Sequence, residues 1–203
     1  MKIKLLGAIG LLIFLHSCRG PVKTNQLPVL GHKEYIEGDT IYETIRDFSF
    51  VNQDSAEVTN TTFANKIYVV DFFFTSCPTI CPKVKKQMMR IHEEFQDESE
   101  LLFLSHSIDT KRDTVARLKQ YANLLDIDQS KWHFVTGEKD SIYAIAEDYF
   151  SIAHEDPDAP GGFDHSGRLI LVDEKRRVRS FCNGTEAEDV DRFMKDIVTL
   201  LNE

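Results

Sequence analysis

The chain has 203 residues, 42% of them hydrophobic, and 33 acidic against 24 basic side chains give a formal net charge of −9. That length can bury a real core without covalent staples. No basic stripe with interleaved aromatics occurs, which excludes nucleic acid as a partner, and the acidic balance speaks instead for solubility and attraction to a basic partner.

Lys2 and Lys4 form a short basic start, followed by an apolar run from Leu5 to Leu15. Such a run is too short to span a bilayer, which takes ~20 residues in a helix. Leu15-His16-Ser17-Cys18 then resembles the lipobox of bacterial lipoproteins, in which the cysteine is lipidated and becomes the mature N-terminus, although His16 is an unusual occupant. The alternative is an ordinary signal peptide cleaved nearby. In both cases the mature protein works outside the cytoplasm. The reading is a lipoprotein signal peptide over 1–17, a flexible tether over 18–45 carrying Pro21, Pro28, Gly31 and Gly38, and one folded domain over 46–203. It places the protein in a bacterial cell envelope, held to the membrane by a lipid on Cys18 and facing the periplasm or extracytoplasmic side. Lipidation leaves Cys77, Cys81 and Cys182, an odd number that argues against a disulfide scaffold.

Ile67 to Phe74 is almost continuously apolar and β-prone, as a strand covered on both faces should be. Pro82 suits the first turn of a helix, and Val84, Met88, Ile91 and Phe95 give that helix one apolar stripe. Lys83, Lys85, Lys86 and Arg90 read as its solvated face. Leu101 to Ile108 is a second strand. Asp113 or Thr114 then caps a helix bearing Val115, Leu118, Ala122 and Leu125. Trp132 to Val135 is a short strand, and Ile142, Ile145, Ala146 and Tyr149 mark another helix. Leu169–Val172 and Val178–Phe181 pair as a hairpin, and Thr185 with Glu188 forms a capping box before the last helix. This order predicts an α/β, thioredoxin-like fold with a central mixed β-sheet flanked by helices.

Two cysteines, Cys77 and Cys81, sit where the first strong strand gives way to a helix. N–H groups at a helix start favour the thiolate, the form that attacks disulfides and binds soft metals. A structural Cys77–Cys81 bridge would close a tiny loop and stabilise little. His165, in the Gly161–Ser166 segment, lies in a loop expected to face the cysteine turn. Two thiolates and an imidazole form a soft three-coordinate set suited to copper, above all Cu(I), whereas zinc would want a fourth ligand. Asp164 or a backbone carbonyl would steady the imidazole tautomer.

Phe74 to Pro82, Ser107 to Thr114, Trp132 with Thr136-Gly137, and Asp164-His165-Ser166 occur in the order seen in the SCO/SenC family. The resemblance runs from about Asp47 to Leu200. It implies a membrane-tethered, thioredoxin-like copper protein that assists assembly of the CuA centre of cytochrome c oxidase. It assigns copper, as Cu(I) and Cu(II), to Cys77, Cys81 and His165. The partners it implies are the copper-bearing oxidase subunit or another copper protein, and an extracytoplasmic thiol reductant. One departure is Thr79, where many members carry an acidic residue; this removes a negative charge near the site. Cys182 matches none of these motifs and reads as a buried small hydrophobe or a resolving thiol. His154 is a spare ligand we bet against, and Asp71 reads as a hydrogen-bonded or partly buried carboxylate rather than a catalytic one.

The competing reading is a thiol–disulfide oxidoreductase using Cys77 and Cys81 as its redox pair. Thioredoxin-type enzymes place two residues between the cysteines and this chain has three, which favours copper carriage without turnover. A peroxidase-like or purely structural thioredoxin-fold domain is a third reading.

Overall fold

The computed structural model describes residues 26–125 and 127–203, so the signal peptide and Cys18 lie outside the described residues. In chain order the elements are β1 (Lys33–Ile36), β2 (Asp39–Tyr42), β3 (Ser49–Asn52), β4 (Glu57–Thr59), β5 (Ile67–Phe73), α1 (Cys81–Glu94), β6 (Leu101–Ser107), α2 (Val115–Asn123), β7 (Trp132–Thr136), α3 (Lys139–Asp148), β8 (Ala153–Glu155), β9 (Phe163–His165), β10 (Arg168–Val172), β11 (Val178–Asn183) and α4 (Ala187–Leu201). Seven strands form one mixed sheet in the order β11-β10-β5-β6-β7-β3-β4. β5, β6 and β7 are parallel, and the outer pairs are antiparallel. The thioredoxin-like fold expected from the element order is present.

All seven residues of β5 are buried, because side chains alternate between two covered faces. Phe73 meets Tyr121 of α2, while Phe72 meets Tyr149 at the end of α3. The predicted stripe of α1 packs as expected: Val84, Met88 and Ile91 are core residues. Thr114 is the cap of α2, accepting a hydrogen bond from the Arg117 N–H.

Several expectations are corrected. Lys85 is not on a solvated face. It is buried, with Nζ 3.4 Å from Asp71 Oδ2 and within 4.9 Å of the ring centres of Phe73, Trp132 and Phe134. It lies one turn beyond Cys81 on the apolar stripe, so the helix carries it inward. The Thr185–Glu188 capping box does not form: α4 starts after Glu186 with no side-chain cap, because Thr185 Oγ1 instead donates to Asn183 Oδ1 within the preceding turn. Residues assigned to the tether lie against the domain. Leu30 N–H donates to the Val178 carbonyl, Arg179 donates to the carbonyls of Leu27 and Pro28, and Ile45 is buried. Hydrogen bonds to its main chain hold this segment together with the apolar contacts of Leu27, Leu30 and Ile45, too few apolar residues to stand out in a polar composition. Among the described residues no helix is long and apolar enough to cross a membrane.

Candidate metal centre

The site forms where β5 ends. Phe74 O accepts from the Cys77 N–H, which turns the chain, and α1 begins at Cys81 with Pro82 in its first turn and no side-chain cap. A buried carboxylate fixes this turn. Asp113 accepts from the Thr75 N–H at 2.9 Å, from Thr75 Oγ1 and from Ser107 Oγ at 2.6 Å. Sequence reasoning offered Asp113 only as a helix cap; its position in a turn facing the cysteine segment gives it this second role.

His165 enters from the other side. It was expected in a loop, but it ends strand β9, paired with β8 so that His165 lies opposite Ala153. Gly161 lies over the Cys turn with φ +84°, and a Cβ there would come within 2.8 Å of the Phe74 ring. Only glycine meets both demands.

The three expected residues converge. His165 Nε2 lies 3.1 Å from Cys81 Sγ and 3.9 Å from Cys77 Sγ, and the three candidate ligand atoms all fall within 4.8 Å of one another. Both cysteines are free thiols, and all three side chains are buried. A cleft of about 900 Å³, lined in part by Phe74, Cys77, Cys81, Met89 and Tyr121, reaches the sulfurs. Access is therefore through this cleft rather than from an exposed loop.

The environment treats the thiols differently. Burial raises the Cys77 thiol, but the Thr79 and Cys81 N–H groups, with the Cys81 and Thr79 side chains, outweigh it and bring its pKa below the ordinary thiol value. Thr79, the departure noted above, thus supplies hydrogen bonds to the sulfur where an acid would supply charge. Burial pushes the Cys81 thiol well up, with Cys77 adding to the rise. Burial also lowers the His165 pKa, opposed by the charges of Asp164 and Asp71, so the imidazole is neutral and has a lone pair to offer. Asp164 sits exposed on the opposite face of β9 and acts on the ring through its charge.

The remaining candidates fall outside the site. His154 is exposed and faces away with Asp164. Cys182 is a core residue whose thiol is pushed up to about 12, chiefly by burial, and it does not join the group formed by Cys77, Cys81 and His165. Asp71 is buried, bonded to Ser105 Oγ and Lys85.

The SCO1/SenC family profile matches residues 38–202. The SCO1 protein homolog of Bacillus subtilis is 27% identical over 161 residues, 78% of this chain and 83% of that protein. A SCO1/SenC family lipoprotein from Bacillus anthracis superposes with a TM-score of 0.71 at 25% identity, over 78% of this chain and 95% of that one. Arabidopsis thaliana ScoI with copper bound superposes with a TM-score of 0.66 at 23% identity, over 79% of this chain and 99% of that one.

Proposed function

The chain belongs to the SCO1/SenC family, and from that premise we propose that it is a copper-carrying assembly factor whose cargo is held by Cys77, Cys81 and His165. The observation that carries this reading is the meeting of two sulfurs and one imidazole nitrogen within 4.8 Å. The donors fit copper: two thiolates satisfy Cu(I), and the imidazole adds the nitrogen that Cu(II) favours. A structural relative is a member of the Sco family of cytochrome c oxidase assembly proteins, which supports the CuA centre of that oxidase as the recipient. Transfer would proceed through the cleft by exchange of these thiolates for ligands of the partner.

Anaerobic titration of the reduced protein with Cu(I), and separate titration with Cu(II), tests the reading. One copper per chain is expected. Cys77→Ser/Cys81→Ser should abolish retention of both ions, while His165→Ala should weaken Cu(II) far more than Cu(I). A wild-type chain that retains no copper, or retention indifferent to all three residues, rejects the site.

The second reading is a thiol–disulfide oxidoreductase, favoured by the split between the two thiols. Cys77, with its lowered pKa, is the attacking sulfur, and Cys81 resolves the mixed disulfide. The two roles are compatible, since the reduced pair is the form that takes copper. Turnover of a protein disulfide that survives His165→Ala and vanishes in Cys77→Ser would establish it.

Anchoring by a lipid on Cys18, in a bacterial cell envelope with the domain on the extracytoplasmic side, belongs to the same proposal and is supported by the basic start, apolar run and Leu15–Cys18 motif. Cys18→Ser should move the protein from the membrane fraction to the soluble fraction of a cell lysate. Unchanged membrane retention would count against lipidation at Cys18.

A further inference from the structure

We propose that Arg112 is the latch that holds the His165 hairpin over the thiols, and so sets how firmly the imidazole is presented to copper. This rests on the copper reading and goes beyond the ligands themselves. The β8–β9 hairpin has three residue pairs, too few to fix its position alone. Its connecting loop is closed internally by Gly162 N–H to Ala159 O at 2.9 Å and Asp156 N–H to Gly162 O at 3.0 Å.

Phe163 and Gly161 pack on Phe74, Glu155 pairs with Lys139 at 3.2 Å, and the turn after β6 adds a hydrogen bond to the loop itself. Arg112 directs Nε to the buried Asp109 carboxylate and Nη2 to the Gly161 carbonyl at 3.3 Å, with its guanidinium 5.6 Å from the Phe163 ring centre. The Arg112 and Asp113 N–H groups both donate back to the Asp109 carbonyl, so the turn is rigid. Its neighbouring residues then grip the two halves of the site. Asp113 holds the cysteine segment through Thr75, and Arg112 holds the histidine segment through Gly161. A planar guanidinium fork can serve Asp109 and Gly161 at once; an ammonium cannot do so with the same geometry.

Arg112 is a positioning residue, so its loss should act on the ion that needs the imidazole. In Arg112→Ala, Cu(II) affinity should fall by up to about 10-fold, the lower end of the cost of losing a group bonded to the ligand itself, because Arg112 acts through Gly161 and not on the imidazole, with Cu(I) affinity essentially unmoved. Arg112→Lys, which keeps the charge beside Asp109 but not the second arm, should show the same split and guards against misfolding of the alanine variant. Amide hydrogen exchange on the metal-free full chain gives an independent readout. The Asp156 and Gly162 N–H groups should exchange faster in both variants while those of β5 and β6 do not. Wild-type Cu(II) affinity in both variants, equal losses for Cu(I) and Cu(II), or unmoved loop exchange would overturn the latch. Absence of copper binding by the wild type would reject the copper reading instead, and the exchange data would still report on Arg112.

Discussion

Lys85→Met is expected to lower folding stability by about 3–5 kcal/mol, the cost of stranding one member of a buried ion pair. The Lys85 and Asp71 side chains are 5% and 1% exposed, so water cannot replace the lost partner. Asp71 would keep its bond from Ser105 Oγ, itself held by Trp132 Nε1 at 2.9 Å, but would have no positive charge nearby. The aromatic rings around Nζ, whose negative faces favour a cation, would turn from a benefit into a neutral packing surface. Asp71→Asn combined with Lys85→Met should recover a large part of the loss, because no charge then remains buried. Urea denaturation of the two single variants and the double variant closes the cycle. A Lys85→Met cost near the ~1 kcal/mol of an average substitution would show that the pair contributes little. The pair also joins β5, which leads into Cys77, to the turn of α1 that follows Cys81, so it braces both arms of the site from below.

That lysine shows where sequence reasoning reaches its limit. Lys83, Lys85 and Lys86 are chemically alike, and composition marks all three as surface. Only helical phase separates them: Lys85 follows Cys81 by four residues and precedes Met88 by three, which puts it on the inward stripe. The partner, Asp71, stands out as a charged residue within an otherwise apolar strand, and the two features together signal a buried pair. β5, α1 and the β10–β11 hairpin were legible because long apolar runs and clear periodicity dominate them. β1 and β2 were not, since four-residue strands with almost wholly exposed side chains carry no pattern, and β8 and β9 were not because three residues are too few to show one. At the site, the strand-to-helix position of Cys77 and Cys81 followed from local sequence. His165 lies 84 residues beyond Cys81; the expected fold brought its loop to face the cysteine turn, and the family resemblance assigned it as a ligand. Arg112 stood in the Ser107–Thr114 motif without a role of its own, because it acts on a main-chain carbonyl, which no side-chain pattern records.

Stability should fall as the solution is acidified from pH 7 to pH 5, and His106 should account for about 2 kcal/mol of that fall. The His106 ring is fully buried among Phe48, Phe50, Phe72 and Tyr149, stacked on Phe72 at 4.9 Å, and neither ring nitrogen has a hydrogen-bond partner among the described residues. Burial brings its pKa down to about 3 from 6.5, and no carboxylate among these rings compensates an imidazolium. The folded state therefore keeps His106 neutral where the unfolded chain takes up a proton. The stability associated with the neutral ring is complete above pH 6.5 and is lost at about 1.4 kcal/mol per pH unit as pH falls toward 3. Burial also lowers the pKa values of His92, His133 and His165, so they steepen the slope with the same sign. His106→Phe separates the contributions, because it keeps a flat ring in the aromatic cage while deleting both unpaired nitrogens. That variant should be more stable than wild type at pH 7, since an unsatisfied buried polar group costs about 1–3 kcal/mol, and its stability should depend less on pH. Urea midpoints measured at pH 7 and pH 5 decide the matter: equal pH dependence in the two proteins would clear His106 of any part in the acid response and leave the slope to the other three histidines.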